Sequence, residues 1–93
     1  MTEKELFEKV CISRGFISPY VKSTVEPLFD DALEYLRSCG VDEKVVLSNA
    51  SIGVIGSLIL AMRNDTTGDF RISSSLKHRI TQLIIKKGEE TDE

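Results

Sequence analysis

The chain has 93 residues, the size of one domain. Hydrophobic residues make up 41% and charged residues 29%, an ordinary globular composition, and with no tryptophan the core must rest mainly on Leu, Ile and Val. The formal net charge of -3 argues against a general nucleic-acid binder, which needs a cationic surface to displace counterions from phosphates.

Helix signals begin at once. Thr2 and Glu5 have the spacing of a capping box. Leu6, Phe7 and Val10 then share a face, and Gly15 ends the first helix. Ser18-Pro19 reads as a linker, because proline holds the preceding residue extended. The second helix is the clearest: Val25, Leu28, Phe29, Ala32, Leu33 and Leu36 form one apolar stripe at i, i+3, i+4, i+7, i+8 and i+11. Ser23 or Thr24 is expected to cap its start, which places Pro27 in the first turn, where no intrahelical donor is needed. Gly40 suits a left-handed C-terminal cap, with Val41 as the accompanying apolar contact.

Asp42 caps a short turn, and Ser48 or Asn49 restarts the chain as a third helix, Asn49–Met62. Ala50, Gly53, Ser57 and Ala61 line up along one side of it, and Ile52, Ile55, Ile59 and Met62 along the other. Glycine inside a helix costs about 1 kcal/mol relative to alanine. That cost is tolerable where another helix packs closely on the small stripe, so this reads as the central helix; the alternative is that the glycines break it into strands. A polar loop over Asn64–Arg71 follows. Ser73, Ser74 or Ser75 caps a fourth helix with the stripe Leu76, Ile80, Leu83 and Ile84, closed by Lys86, Lys87 and Gly88. The expected architecture is all-α: a bundle of four or five helices around a central apolar helix. Residues 1–88 form a single domain, divided into an N-terminal helix and linker (1–22) and a helical core (23–88). Residues 89–93 form an acidic, solvated tail.

No charge occurs between Lys44 and Arg63, but the most apolar part, Ile52–Met62, is 11 residues long, well short of the about 20 that a bilayer core needs. A buried helix is the better reading. The charged start MTEKELFEK is not that of a secretory signal. Cys11 and Cys39 belong to no C-x-x-C pair, and with a single histidine they form no zinc set, so they read as small buried or half-buried hydrophobes rather than a disulfide or a reactive thiol.

Catalytic signatures are missing. His78 stands alone between two cations on a helix face. Asp30, Asp31 and Glu34 read as a solvated acidic face rather than a metal cluster. Gly53, Gly56 and Gly68 do not form a phosphate loop. No enzyme and no cofactor is expected. A DNA-binding helix-turn-helix is the main competitor, because the fourth helix carries Ser74, Ser75, Lys77, His78, Arg79 and Gln82. The connection before it is longer than the three or four residues of such motifs.

Charge is unevenly spread. Residues 24–43 carry six acids against Arg37 alone, whereas residues 63–87 carry six cations against Asp65 and Asp69. Four segments also follow one another in a recognisable order. They are the amphipathic helix ending Ala32-Leu33-Glu34-Tyr35-Leu36-Arg37-Ser38-Cys39-Gly40-Val41, the buried helix Asn49–Met62, the polar turn Arg63–Gly68, and the serine-capped basic helix running from Ser73 to Gln82-Leu83. From about Val25 to Ile85 this order resembles the head–tail connector (head-completion, portal-adaptor) proteins of tailed bacteriophages and prophages. Where members often carry an aspartate-aromatic pair near the end of the third segment, this chain has Ala61-Met62-Arg63.

The resemblance implies a non-enzymatic adaptor in the virion, made in the host cytoplasm. It would form a ring between the portal protein and the next head-completion or tail protein, with DNA only as the contents of the channel and no membrane. The subunit can be monomeric before assembly. The charge map suggests the contact between neighbours: Asp30, Asp31 and Glu34 of one subunit against Arg71, Lys77 and Arg79 of the next. The bland alternative is that both are solvated helix faces. A small helical DNA-binding or regulatory module is the runner-up reading, and a generic helical interaction domain a third.

Overall fold

The computed structural model describes residues 1–65 and 72–86, and every described element is helical. They are α1 (Glu3–Arg14), α2 (Pro19–Ser38), the single turn α3 (Glu43–Val46), a 3₁₀ turn at Asn49–Ser51, α4 (Ile52–Asn64) and α5 (Ser74–Lys86). The expected acidic tail, Lys87, Gly88 and most of the polar loop, including Arg71, lie outside the described residues.

Local chemistry accounts for most boundaries. The capping box forms: Glu5 N–H donates to Thr2 Oγ1 at 3.1 Å and Thr2 N–H to Glu5 Oε1 at 2.8 Å. Those bonds to Thr2 hold the Glu5 carboxyl below its usual pKa. α1 stops at Gly15, where φ is 76°, and Phe16 N–H returns to the Cys11 carbonyl at 2.8 Å. α2 closes the same way, with Gly40 at φ 95° and Val41 N–H bonded to the Leu36 carbonyl at 3.1 Å. In both closures the residue after the glycine is buried, the apolar contact that often accompanies a Schellman motif. Ser73 caps α5 by accepting from Leu76 N–H at 3.2 Å.

The start of α2 differs from the sequence expectation. The helix begins at Pro19 with Ser18 as its cap, accepting from Val21 N–H at 3.2 Å, so the supposed linker is its first turn. Ser23 and Thr24 are interior positions. Their hydroxyls donate back to the Tyr20 and Val21 carbonyls, both at 2.7 Å. Pro27 is therefore inside the helix, not in its first turn. It withholds the N–H that would reach the Ser23 carbonyl. Both residues are exposed, so water can take that place. Pro27→Ala is expected to raise the unfolding free energy by about 1–2 kcal/mol, the gain of the helix bond less the entropy that the proline removes from the unfolded chain. A urea titration measures it.

α4 is the centre of the bundle. α1 and α2 lie along it, and α5 covers a further side. Val54, Ile55, Leu58 and Ile59 are buried, with Ile52, Leu60 and Met62 half-buried around them. The third helix is slightly displaced from its expected span, because residues 49–51 form a tight 3₁₀ turn. The buried Ser51 hydroxyl fastens that turn by donating to the Val46 carbonyl at 2.6 Å.

The small-residue stripe does not receive a helix backbone at Gly53, and arginine side chains lie over that glycine and over Gly56 beside the stripe. Arg14 reaches from the end of α1 across α4, where its Nη2 donates to the Gly53 carbonyl at 3.0 Å and to Ser57 Oγ at 2.8 Å. A Cβ on Gly56 would strike the middle of that side chain, with Arg14 Cγ at 2.9 Å. The Arg79 guanidinium lies over Gly53.

Candidate functional site

The acids of α2 border two different grooves. Asp31 and Glu34, with Leu28, Tyr35 and Ser38 of α2, face Met62 and Asp65 at the end of α4 across a groove of about 450 Å³. Its floor is apolar and its rim acidic. Asp30 lies with Glu26 and Phe29 against Glu3, Lys4, Phe7 and Glu8 of α1, around a second groove of about 450 Å³. There Phe7 and Phe29 meet edge to face with ring centroids 5.0 Å apart.

Ion pairing leaves much of this acidity uncompensated. Arg37 is engaged by two carboxylates: it bonds Glu43 through two parallel contacts of 2.8 Å and Glu3 at 3.0 Å, joining α3, α2 and α1. The pairing with Arg37 lowers the Glu43 pKa and raises that of the guanidinium. Lys22 pairs with Glu8 at 3.1 Å. Glu26, Asp30, Asp31 and Glu34 are exposed and have no ion-pair partner among the described residues.

The cationic side is α5. Lys77 and Arg79 are both exposed, and Arg79 is turned towards Gly53 at the α4 surface. His78 and Gln82 are hydrogen-bonded on the outer face, with 3.2 Å between Nε2 atoms. Ser57, Ala61, Ile72, Ser73, Ser75, Leu76 and Arg79 line a crevice of about 270 Å³ between α4 and the start of α5. The small stripe thus opens onto α5 here.

Both cysteines are free thiols, with Cys11 buried and Cys39 half-buried; burial pushes the Cys11 thiol up. The Tyr35 hydroxyl is raised by burial and by its hydrogen bond with Cys39. Among the described residues no group of three His, Cys, Asp or Glu side chains could hold a metal ion, and no helix is long and apolar enough to cross a membrane.

Of the residues singled out from sequence, Asp31 and Glu34 share one groove, Asp30 borders the other, Lys77 and Arg79 share α5, and Arg71 lies outside the described residues. The apolar floor made by Leu28, Tyr35 and Met62 was not anticipated, and neither was the exposure of Ile85. The latter had a sequence signal, since Ile85 falls off the stripe Leu76, Ile80, Leu83 and Ile84. No protein-family model matches the chain, and neither does any curated protein or solved structure.

Proposed function

We propose that the chain is a structural subunit of a head–tail connector of a tailed phage or prophage, assembling on the portal as a ring and presenting a surface to the next head-completion or tail protein. One observation carries this reading. The all-helical bundle exposes acids along α2 that have no ion-pair partner among the described residues, and cations along α5, on two elements that make no extensive contact with each other. Two complementary but different surfaces on one subunit are what a head-to-tail ring needs, because each copy must offer a donor face and an acceptor face. The order of segments from Val25 to Ile85 supports the choice of family. The subunit needs no cofactor in this role, and DNA passes through the ring without being read.

The test is electron microscopy of isolated portals from the phage or prophage that carries the gene, mixed with the purified chain. Added ring density at moderate salt is expected, weakening as salt rises because exposed charges are screened within about 8–10 Å at physiological ionic strength. Portals that stay bare, together with retention of the chain on duplex DNA at moderate salt, would overturn the connector reading in favour of a DNA-binding module.

A further inference from the structure

The last turn of α5 carries a large apolar side chain that its own bundle leaves uncovered. Ile85 is 67% exposed, whereas Leu76, Ile80 and Leu83 of the same helix are buried. At 100° per residue, Ile85 continues the outer line of His78 and Gln82, with Arg79 and Lys86 on one flank. The helix therefore ends in an apolar side chain set on a cationic face. The α2–α4 groove has the inverse character. Leu28, Tyr35 and Met62 give it an apolar floor, Asp31, Glu34 and Asp65 give it an acidic rim, and its volume of about 450 Å³ is ample for a branched side chain and the turn bearing it.

We propose that the α2–α4 groove of one copy receives the Ile85 end of α5 from a second copy. The isoleucine lies against Met62, Leu28 and Tyr35, and the rim carboxylates surround the cationic flank. The proposal rests on the reading of the chain as an assembly subunit and goes beyond it in naming the two surfaces. It also changes the expected pairing, since the apolar anchor and not a charge takes the central place. The contact is heterologous. Each pair leaves one groove and one α5 end open, so association continues head to tail.

The test is sedimentation velocity of the full chain over a wide concentration range. One variant removes the anchor, Ile85→Asp, and a second reverses the rim, Asp31→Lys with Glu34→Lys. All three positions are exposed, and circular dichroism checks that the helices persist. The wild type is expected to form concentration-dependent species larger than a dimer. Each variant alone should associate at least about tenfold more weakly, the loss of a central anchor or of its rim. An equimolar mixture of the two variants should form dimers and nothing larger, because a single intact groove meets a single intact anchor. A wild type that stays monomeric, variants that associate like the wild type, or a mixture that stays monomeric would each overturn the proposal. Portal binding is a separate readout. Self-association with bare portals keeps this interface and removes the connector reading, whereas portal rings unaffected by Ile85→Asp remove this interface and keep that reading.

Discussion

Leu58→Ala is expected to lower the unfolding free energy by about 2–5 kcal/mol, the range for deleting a fully buried leucine side chain. Leu58 has no exposed surface and belongs to the helix that α1, α2 and α5 all contact. Removing its isobutyl group forfeits transfer free energy. It also leaves a void that helices held from several sides cannot close. A domain of this size has about 5–15 kcal/mol of stability in total, so the variant stands near the edge of folding. Urea unfolding followed by circular dichroism measures the effect, with an unchanged slope showing that the loss lies in stability and not in the compactness of either state. Leu60→Ala in the same helix is the control. Its side chain is only half-buried, and its loss should be clearly smaller. Equal losses would mean that α4 is not gripped as described.

Gly56→Ala is expected to destabilise by about 2 kcal/mol, although alanine is the better helix former by about 1 kcal/mol. The new methyl group would collide with Arg14, not at its mobile tip but along its stem. Moving that stem breaks the bonds to the Gly53 carbonyl and to Ser57, and a bond from a charged donor contributes about 1.5–3 kcal/mol. The sign should invert once the arginine is gone. In Arg14→Ala, the further change Gly56→Ala no longer meets that stem and should be neutral or stabilising. The two substitutions therefore form a double-mutant cycle with a large coupling term. Gly53→Ala meets only the far end of the Arg79 side chain and should be close to neutral. Additive effects at positions 14 and 56 would remove the strap from the description of the fold.

Much of the bundle was legible because its signals are local. The Thr2–Glu5 box, the glycines at 15 and 40, the Val25–Leu36 stripe and a serine cap on α5 each depend on residues within a few positions, and each forms; of the three serines offered as that cap, Ser73 takes the place. The start of α2 was misplaced because two rival signals shared a stretch. Ser23 and Thr24 have the chemistry of caps but spend their hydroxyls on carbonyls of the preceding turn. Ser18 followed by Pro19 was the stronger pair. The arginine strap left no trace in the sequence, since periodicity reports which face a residue occupies and not where a long side chain lands. The candidate site divides along the same line. That Asp31 and Glu34 are exposed follows from the register of α2, while the groove beside them needs Met62 and Asp65 from a helix far along the chain.

The strap joins residues 39 and 43 positions apart, and nearby Lys9 reaches Asn49 at 3.2 Å. A helix synthesised earlier, α1, thus depends on a later one, α4. While the chain is growing, Leu6, Val10, Cys11 and Phe16 have nothing of α4 to cover them, and bringing α1 to α4 closes a long loop whose entropy must be met before any contact forms. Folding is therefore timed by the completion of α4 and not by the early appearance of α1. A nascent chain stopped before residue 52 holds α1 and α2 with their Phe7–Phe29 contact but lacks the helix that both pack against.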